Sequence, residues 1–195
     1  MARSPFYMIR HGETDWNREG RYQGTVDIPL NARGHRQAER NGALLASLTP
    51  SPLHWRFISS PLGRARHTME IIRSELGLPP DDYLIDQRLI EITFGKWEQK
   101  CLADLKISEP QEVARREQNK WVHVPPGGES YADAAARMAT FFDELAEPSV
   151  IVCHGGIIRA TRFILEDLDG HRIASEPVPQ DKVYAFDGSL AKWIA

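Results

Sequence analysis

Short apolar runs, each broken at once by polar or glycine-containing residues, dominate the hydrophobic pattern of this chain. Phe6 to Ile9 reads as a buried strand, interrupted by Arg10-His11-Gly12 and followed by a polar loop. From Gly34 to Leu48, the residues Ala38, Gly42, Leu45 and Leu48 recur at helical spacing, and Pro50 with Pro52 prevents continuation. Trp55 to Ser59 is a second strand. Ser60-Pro61 behind it reads as a helix start, a capping hydroxyl followed by proline at the first helical position. Leu62, Ala65, Met69, Ile72 and Leu76 then share one face, and Gly77 supplies the stop. Leu84 to Leu89 reads as a strand mixed with charge, and Glu91 to Trp97 as an irregular stretch.

Leu102 to Trp121 is rich in helix formers and charge, interrupted at Pro110 and closed by Pro125-Pro126-Gly127-Gly128. The segment 96–128 therefore reads as an excursion from a single domain spanning 1–195, placed where it can cover a site. Ser130 with Asp133 forms a capping box for a helix with Ala134, Met138, Phe141, Phe142 and Leu145 on one face. Val150 to Cys153 is a fully apolar strand, His154-Gly155-Gly156 a turn, and Ile157, Thr161, Ile164 and Leu165 the inner face of the next helix. Val183 to Phe186 and Lys192 to Ile194 flank Asp187-Gly188, a hairpin signal that puts an antiparallel strand at or near the sheet edge. Strands alternating with helices predict a three-layer α/β/α fold around a mainly parallel central sheet, covered on both faces.

Composition narrows the function classes. The 195 residues are 42% hydrophobic and 26% charged, with a formal net charge of −3, the profile of a globular domain with no cationic excess for a nucleic acid. No window approaches a bilayer span, and the first residues lack the apolar stretch of a signal peptide, so a cytoplasmic location is expected. The two cysteines, Cys101 and Cys153, are expected to be reduced. No two-histidine helical motif, cysteine pair with ligand spacing or glycine-rich nucleotide loop occurs, so neither a metal nor a cofactor is expected.

In a parallel sheet, ligands bind beyond the carboxyl ends of the strands, where loops converge and helix N-termini present free N–H groups. The three clear strand ends carry Arg10-His11-Gly12, Ser60-Pro61-Leu62-Gly63-Arg64 and His154-Gly155-Gly156. Topology can thus bring two histidines and two arginines together from distant parts of the chain. Such a cluster suits phosphoryl transfer. Arg10 and Arg64 supply planar paired donors for the phosphoryl oxygens, and His11 has a lone pair for attack on phosphorus at neutral pH. Gly12 lets phosphate and backbone approach closely, and His154 holds phosphoryl oxygens. Glu91, between apolar neighbours that favour its protonated form, is the candidate proton donor.

These residues, in this order, resemble the histidine phosphatase superfamily, the phosphoglycerate mutase-like family. The resemblance runs from Arg10 to about Arg159. It is carried by Arg10-His11-Gly12-Glu13-Thr14 with Asn17, Tyr22-Gln23-Gly24 and Asp27-Ile28-Pro29-Leu30, then Ser59-Ser60-Pro61-Leu62 with Arg64-Ala65 and Thr68. Glu91, Phe94-Gly95, Trp97-Glu98, Gly127-Gly128-Glu129-Ser130 and His154-Gly155-Gly156 complete it. The resemblance implies a phosphorylated His11, a phosphoryl group bound by Arg10, Arg64 and His154, Glu91 as acid and base, and Asn17, Gln23, Gly24 and Gly155 lining the substrate site. Gln99 departs from it, standing where many phosphatase-type members have glycine.

The expected activity is metal-independent hydrolysis of a small phosphomonoester, of the histidine acid phosphatase type. Mutase-type transfer and non-catalytic binding of a phosphorylated ligand are the alternatives, and the modest excursion favours hydrolysis, since a mutase must shield phosphohistidine from water. Lys100, Arg115, Arg116 and His123 are solvated charges or contacts for a charged leaving group, and Trp97, Trp121 and His123 are core or pocket wall. Neither nucleic acid nor membrane is expected as a partner. The sequence leaves the oligomeric state open, a homodimer included.

Overall fold

The computed structural model describes residues 4–49 and 51–195. Pro50, one of the two prolines expected to stop the first long helix, lies outside the described residues, as do the first three residues of the chain. Six strands form one sheet: β1 (Phe6–Arg10), β2 (Arg56–Ser59), β3 (Leu84–Ile85), β4 (Ser149–Cys153), β5 (Val183–Phe186) and β6 (Ala191–Ile194). Their spatial order is β3-β2-β4-β1-β5-β6. β1 to β4 run parallel, β5 lies antiparallel to β1, and β6 antiparallel to β5 occupies the edge.

Alternating side chains feed two apolar cores, as the two-residue period of a strand requires. Phe6, Met8, Ile58, Ile151 and Cys153 face the helices α6 (Tyr131–Glu144) and α7 (Gly155–Leu165) through Met138, Phe141, Phe142, Ile157 and Ile158. Ile9, Phe57, Val150 and Val152 face α2 (Ala32–Leu48) and α3 (Gly63–Glu75) through Leu45, Ala65, Met69 and Ile72. The fold is the expected α/β sandwich with a mostly parallel sheet and helices around it.

Three local expectations are corrected. Ser60 and Pro61 do not open α3: its N-cap is Leu62, which has no capping side chain. The Asp27 carboxylate takes that place, accepting from the N–H of Gly63 at 2.6 Å and of Arg64 at 3.2 Å. The strand expected over Leu84 to Leu89 holds only for Leu84–Ile85, because Asp86 accepts from the N–H of Arg88 at 2.8 Å and turns the chain into a 3-10 turn at Gln87–Leu89. The polar loop after His11 contains a helical turn, α1 (Asp15–Glu19), whose capping box pairs Thr14 with Asn17.

The excursion is helical and divides where Pro110 stands, at the first position of α5 (Pro110–Gln118) after α4 (Leu102–Ser108). It has its own small core of Trp97, Leu105 and Val113, packed against Tyr22 and Phe94. A short helix, α8 (Gly170–Ile173), precedes β5. No helix among the described residues is long and apolar enough to cross a membrane.

Candidate active site

The carboxyl ends of β1, β2 and β4 meet at one cleft of about 340 Å³. Arg10, His11, Asn17, Gln23, Gly24, Arg64, Glu91 and Gly155 all line it. His154 does not reach the cleft wall. It is fully buried, its ring centroid 5.1 Å from that of His11.

His11 continues the sheet, its N–H donating to the carbonyl of Cys153 at 2.9 Å. Its Nδ1 lies 2.8 Å from the carbonyl of Gly12, which can only accept, so Nδ1 carries the proton and Nε2 the lone pair. Nε of Arg64 donates toward that lone pair at 3.3 Å. Burial, then the Arg64 and Arg10 guanidiniums, hold the His11 pKa well below the usual imidazole range. The ring is therefore a neutral base.

Gly12 is required by packing. A Cβ there would sit 2.2 Å from the carbonyl oxygen of Gly34, so the backbone of the β1 loop approaches the first turn of α2 closely. The Gly12 N–H donates to the Thr68 hydroxyl at 3.1 Å, and that hydroxyl donates to the carbonyl of Arg64 at 2.8 Å, tying the β1 loop to α3.

Arg64 is almost wholly buried and held at three points. Besides His11, its Nη1 donates to the carbonyl of Val26 at 2.6 Å and its Nη2 to that of Gly24 at 2.7 Å. Arg10 donates through Nη1 to the carbonyl of Val178 at 2.9 Å, while its Nε has no hydrogen-bond partner among the described residues. Burial, and then the neighbouring Arg159, push the Arg10 pKa down to about 10. His154 bonds through Nε2 with the Ser60 hydroxyl at 2.6 Å, and its Nδ1 is also without a partner. Burial and Arg64 keep this ring neutral as well. Gln23 contributes a third buried unpartnered atom, Oε1. Unmade hydrogen bonds of this kind are costly, on the order of 1–3 kcal/mol each, and they concentrate in native proteins where a ligand can satisfy them.

Glu91 approaches α7 from the other side. Its two carboxylate oxygens accept from the N–H of Gly156, both at 3.1 Å, and one also accepts from the N–H of Ile92 at 3.0 Å. A Cβ on Gly156 would fall 2.4 Å from that carboxylate, so this glycine permits the contact.

The sequence reading left out several residues of the cleft. Arg159, Lys120, Arg21 and Tyr131 belong to its wall. Arg159 had a signal, standing four residues after Gly155 on α7 and so on the same helical face. Of the charges weighed in the excursion, Arg116 lines the cleft, stacked over Tyr22 with its guanidinium carbon 5.6 Å from the ring centroid. The others pair elsewhere: Lys100 with Glu109, and Arg115 and His123 with Glu112. Trp97 is core, and Trp121, tilted against Phe163 at 4.2 Å, stacks behind the cleft residue Tyr131 at 6.1 Å. Among the described residues, no group of three His, Cys, Asp or Glu is placed to hold a metal ion.

The model of the histidine phosphatase superfamily, branch 1, matches residues 6–193. A 2,3-bisphosphoglycerate-dependent phosphoglycerate mutase 2 from Gloeobacter violaceus is 29% identical over 187 residues, covering 92% of this chain and 84% of that protein. The α-ribazole phosphatase of Shigella flexneri superposes with a TM-score of 0.80 at 26% identity, over 96% of this chain and 93% of that one. A mycobacterial glucosyl-3-phosphoglycerate phosphatase in complex with VO3 gives 0.78 at 28% identity, over 98% and 96%. With a family match across nearly its whole length and this constellation at the strand ends, the chain belongs to the histidine phosphatase superfamily, branch 1.

Proposed function

We propose that the protein is a phosphomonoesterase that hydrolyses a small phosphorylated metabolite through a phosphohistidine on Nε2 of His11. The observation that carries this reading is the His11 ring: Nδ1 tied to Gly12, Nε2 bearing the lone pair, and the imidazole kept neutral in a pocket of guanidiniums. A neutral nucleophile in a cationic site is what attack on a phosphoryl dianion requires.

In the first half-reaction a bond forms between Nε2 and phosphorus while the bond from phosphorus to the ester oxygen breaks. Arg10 and Arg64 hold the equatorial oxygens, with the buried His154 packed behind His11, and Nε of Arg64 turns from the nitrogen it faces at rest to one of them. Asn17, Gln23 and the backbone around Gly24 and Gly155 line the same oxygens. Glu91 gives its proton to the departing alcohol. In the second half-reaction the Glu91 carboxylate takes a proton from water, the water oxygen bonds to phosphorus, the nitrogen-to-phosphorus bond breaks and inorganic phosphate leaves.

The cleft is lined by Arg10, Arg21, Arg64, Arg116, Lys120, Arg159 and Glu91; Arg21 pairs with Glu19, Arg116 and Lys120 with Glu117, and Arg64 lies 3.8 Å from Asp27, so the cationic excess sits mainly on Arg10 and Arg159. That surplus favours a substrate whose alcohol part also carries an anionic group. Mutase-type transfer is the second reading, supported by the mutase among the relatives. It differs in returning the phosphoryl group to a second hydroxyl. Incubation with isomeric phosphoglycerates and a broad panel of phosphomonoesters, counting free phosphate against isomerised product, separates the two. Trapping with 32P-labelled substrate tests what they share: label should appear on wild-type protein and be lost in His11→Ala. An unlabelled histidine with turnover intact would refute both readings.

A further inference from the structure

Gln180 lies between α8 and β5, and nothing in the sequence around it marks it for the cleft. Its side-chain nitrogen nonetheless donates twice into the site, to the carbonyl of His11 at 3.0 Å and to Oδ1 of Asn17 at 3.0 Å. Neither assignment can be reversed. The His11 group is a backbone carbonyl, and the Asn17 oxygen is identified independently because the same atom accepts from the N–H of Thr14 at 3.2 Å.

Both acceptor sites of the Asn17 oxygen are thus filled from the protein. The amide NH2, which has no hydrogen-bond partner among the described residues, is left for the cleft that Asn17 helps to line. The segment carrying Gln180 is itself anchored: its carbonyl accepts at 3.0 Å from Nδ2 of Asn41, a buried residue of α2. The chain of restraint runs from the α2 core through Gln180 to the nucleophile's backbone and to one proposed phosphoryl ligand.

We infer that Gln180 is a positioning residue for phosphoryl transfer, acting by holding the Asn17 amide with its NH2 toward the phosphoryl oxygens and by fixing the carbonyl of His11. The inference rests on the reading of Asn17 as a phosphoryl ligand, and the test separates the two. Removing Gln180's donor frees Asn17 Oδ1 from one of its two restraints. The amide can then swing, and the loss appears as weaker binding of anything that resembles the transferring phosphoryl group.

Orthovanadate is the probe, titrated calorimetrically against the wild-type protein, Asn17→Ala, Gln180→Met and the double variant. Methionine keeps the length and volume of glutamine and removes the donor. Each single change should weaken orthovanadate binding about tenfold, the scale of one hydrogen bond to a charged group. The double variant should be no more than about twofold weaker than Asn17→Ala alone, since contacts that act through one another are not additive. Gln180→Ala, made in parallel, deletes the donor in a second way, and the thermal midpoints of both variants report their folding. A residue that only supports the fold would lower the midpoint without this coupling.

Multiplicative losses in the double variant, or Gln180→Met binding orthovanadate like wild type, overturn the role of Gln180 and leave the phosphoryl site standing. If wild type fails to bind orthovanadate, or Asn17→Ala has no effect, the phosphoryl reading of that wall fails first and the inference falls with it.

Discussion

Nε of Arg64 lies 3.3 Å from Nε2 of His11, in a side chain with almost no solvent exposure whose two terminal nitrogens are bonded to the carbonyls of Val26 and Gly24. Three elements meet in that one guanidinium: α3, which carries it, the 24–27 loop, which holds it, and the end of β1, toward which it points. The loop is pinned in turn by Glu98, whose carboxylate accepts from the N–H of Thr25 at 3.1 Å, the N–H of Phe94 at 3.1 Å and the hydroxyl of Thr93 at 2.9 Å. The proposed nucleophile and its nearest cation are thus oriented by contacts spread across the chain.

Arg64→Lys should lower kcat/KM by about 100-fold or more, because an ammonium cannot reproduce a planar fork bonded in three directions. The charge is retained, so simple electrostatics would leave activity nearly unchanged. Steady-state kinetics on one phosphomonoester decide it, and a loss under about threefold would mean that the fork geometry is dispensable.

Glu91→Gln should slow esters with poor leaving groups and spare activated aryl phosphates, whose alcohols leave without a proton. The informative quantity is the ratio of the two losses. Equal losses would remove Glu91 from its role as acid and leave it as a cap on the Gly156 N–H.

Stability should fall as the pH is lowered through the unfolded imidazole range. His11 and His154 both have folded pKa values held well below the usual imidazole value of about 6.5, principally by burial. As pH drops below that value the unfolded rings take up protons and the folded rings do not. The unfolded state then binds more protons, and unfolding becomes easier by up to about 1.4 kcal/mol per pH unit for each ring. This loss continues until the folded rings themselves titrate. Asp86 and Glu109, held below the usual carboxylate range by Arg88 and Lys100, add their own acid sensitivity only at lower pH. Urea unfolding at about pH 7.5 and about pH 5.5 measures the slope, and His154→Gln should reduce it by the share of one ring. A slope unaffected by that change would place the protons elsewhere.

Gln99→Gly should raise stability by about 1 kcal/mol, since Gln99 has φ of +73° and a side chain in the left-handed region costs about 1–2 kcal/mol. The residue holds its place by backbone bonds alone, its N–H to the carbonyl of Tyr22 at 2.8 Å and its carbonyl accepting from Arg21 at 2.8 Å, and glycine retains both. At this position the sequence departs from the glycine of the family resemblance, and the departure carries backbone strain. Denaturant midpoints compare the two, with a fall in stability as the contrary outcome.

Much of this was readable from residue order. The apolar runs at 6–9, 55–59 and 150–153 are strands because their side chains have nowhere to go but two opposite cores, and the catalytic-type residues follow them because strand ends are where a parallel sheet opens. Misreadings arose where a local rule had a competitor from elsewhere in the chain. Ser60-Pro61 has the composition of a helix start, yet Asp27 caps α3, leaving the Ser60 hydroxyl for His154.

Residue type and order, then, determined the sheet, the three loops that meet beyond it and the identity of the histidines and arginines they carry, because each of those is set by side-chain chemistry within a few positions. Only the tertiary structure decided which nitrogen of His11 bears the lone pair, which cations of the excursion face the cleft, and that Gln180 joins the nucleophile's loop. Those outcomes depend on hydrogen-bond directions and partners up to 169 residues away, and no local pattern in a sequence encodes a contact whose two halves are placed by different parts of the core.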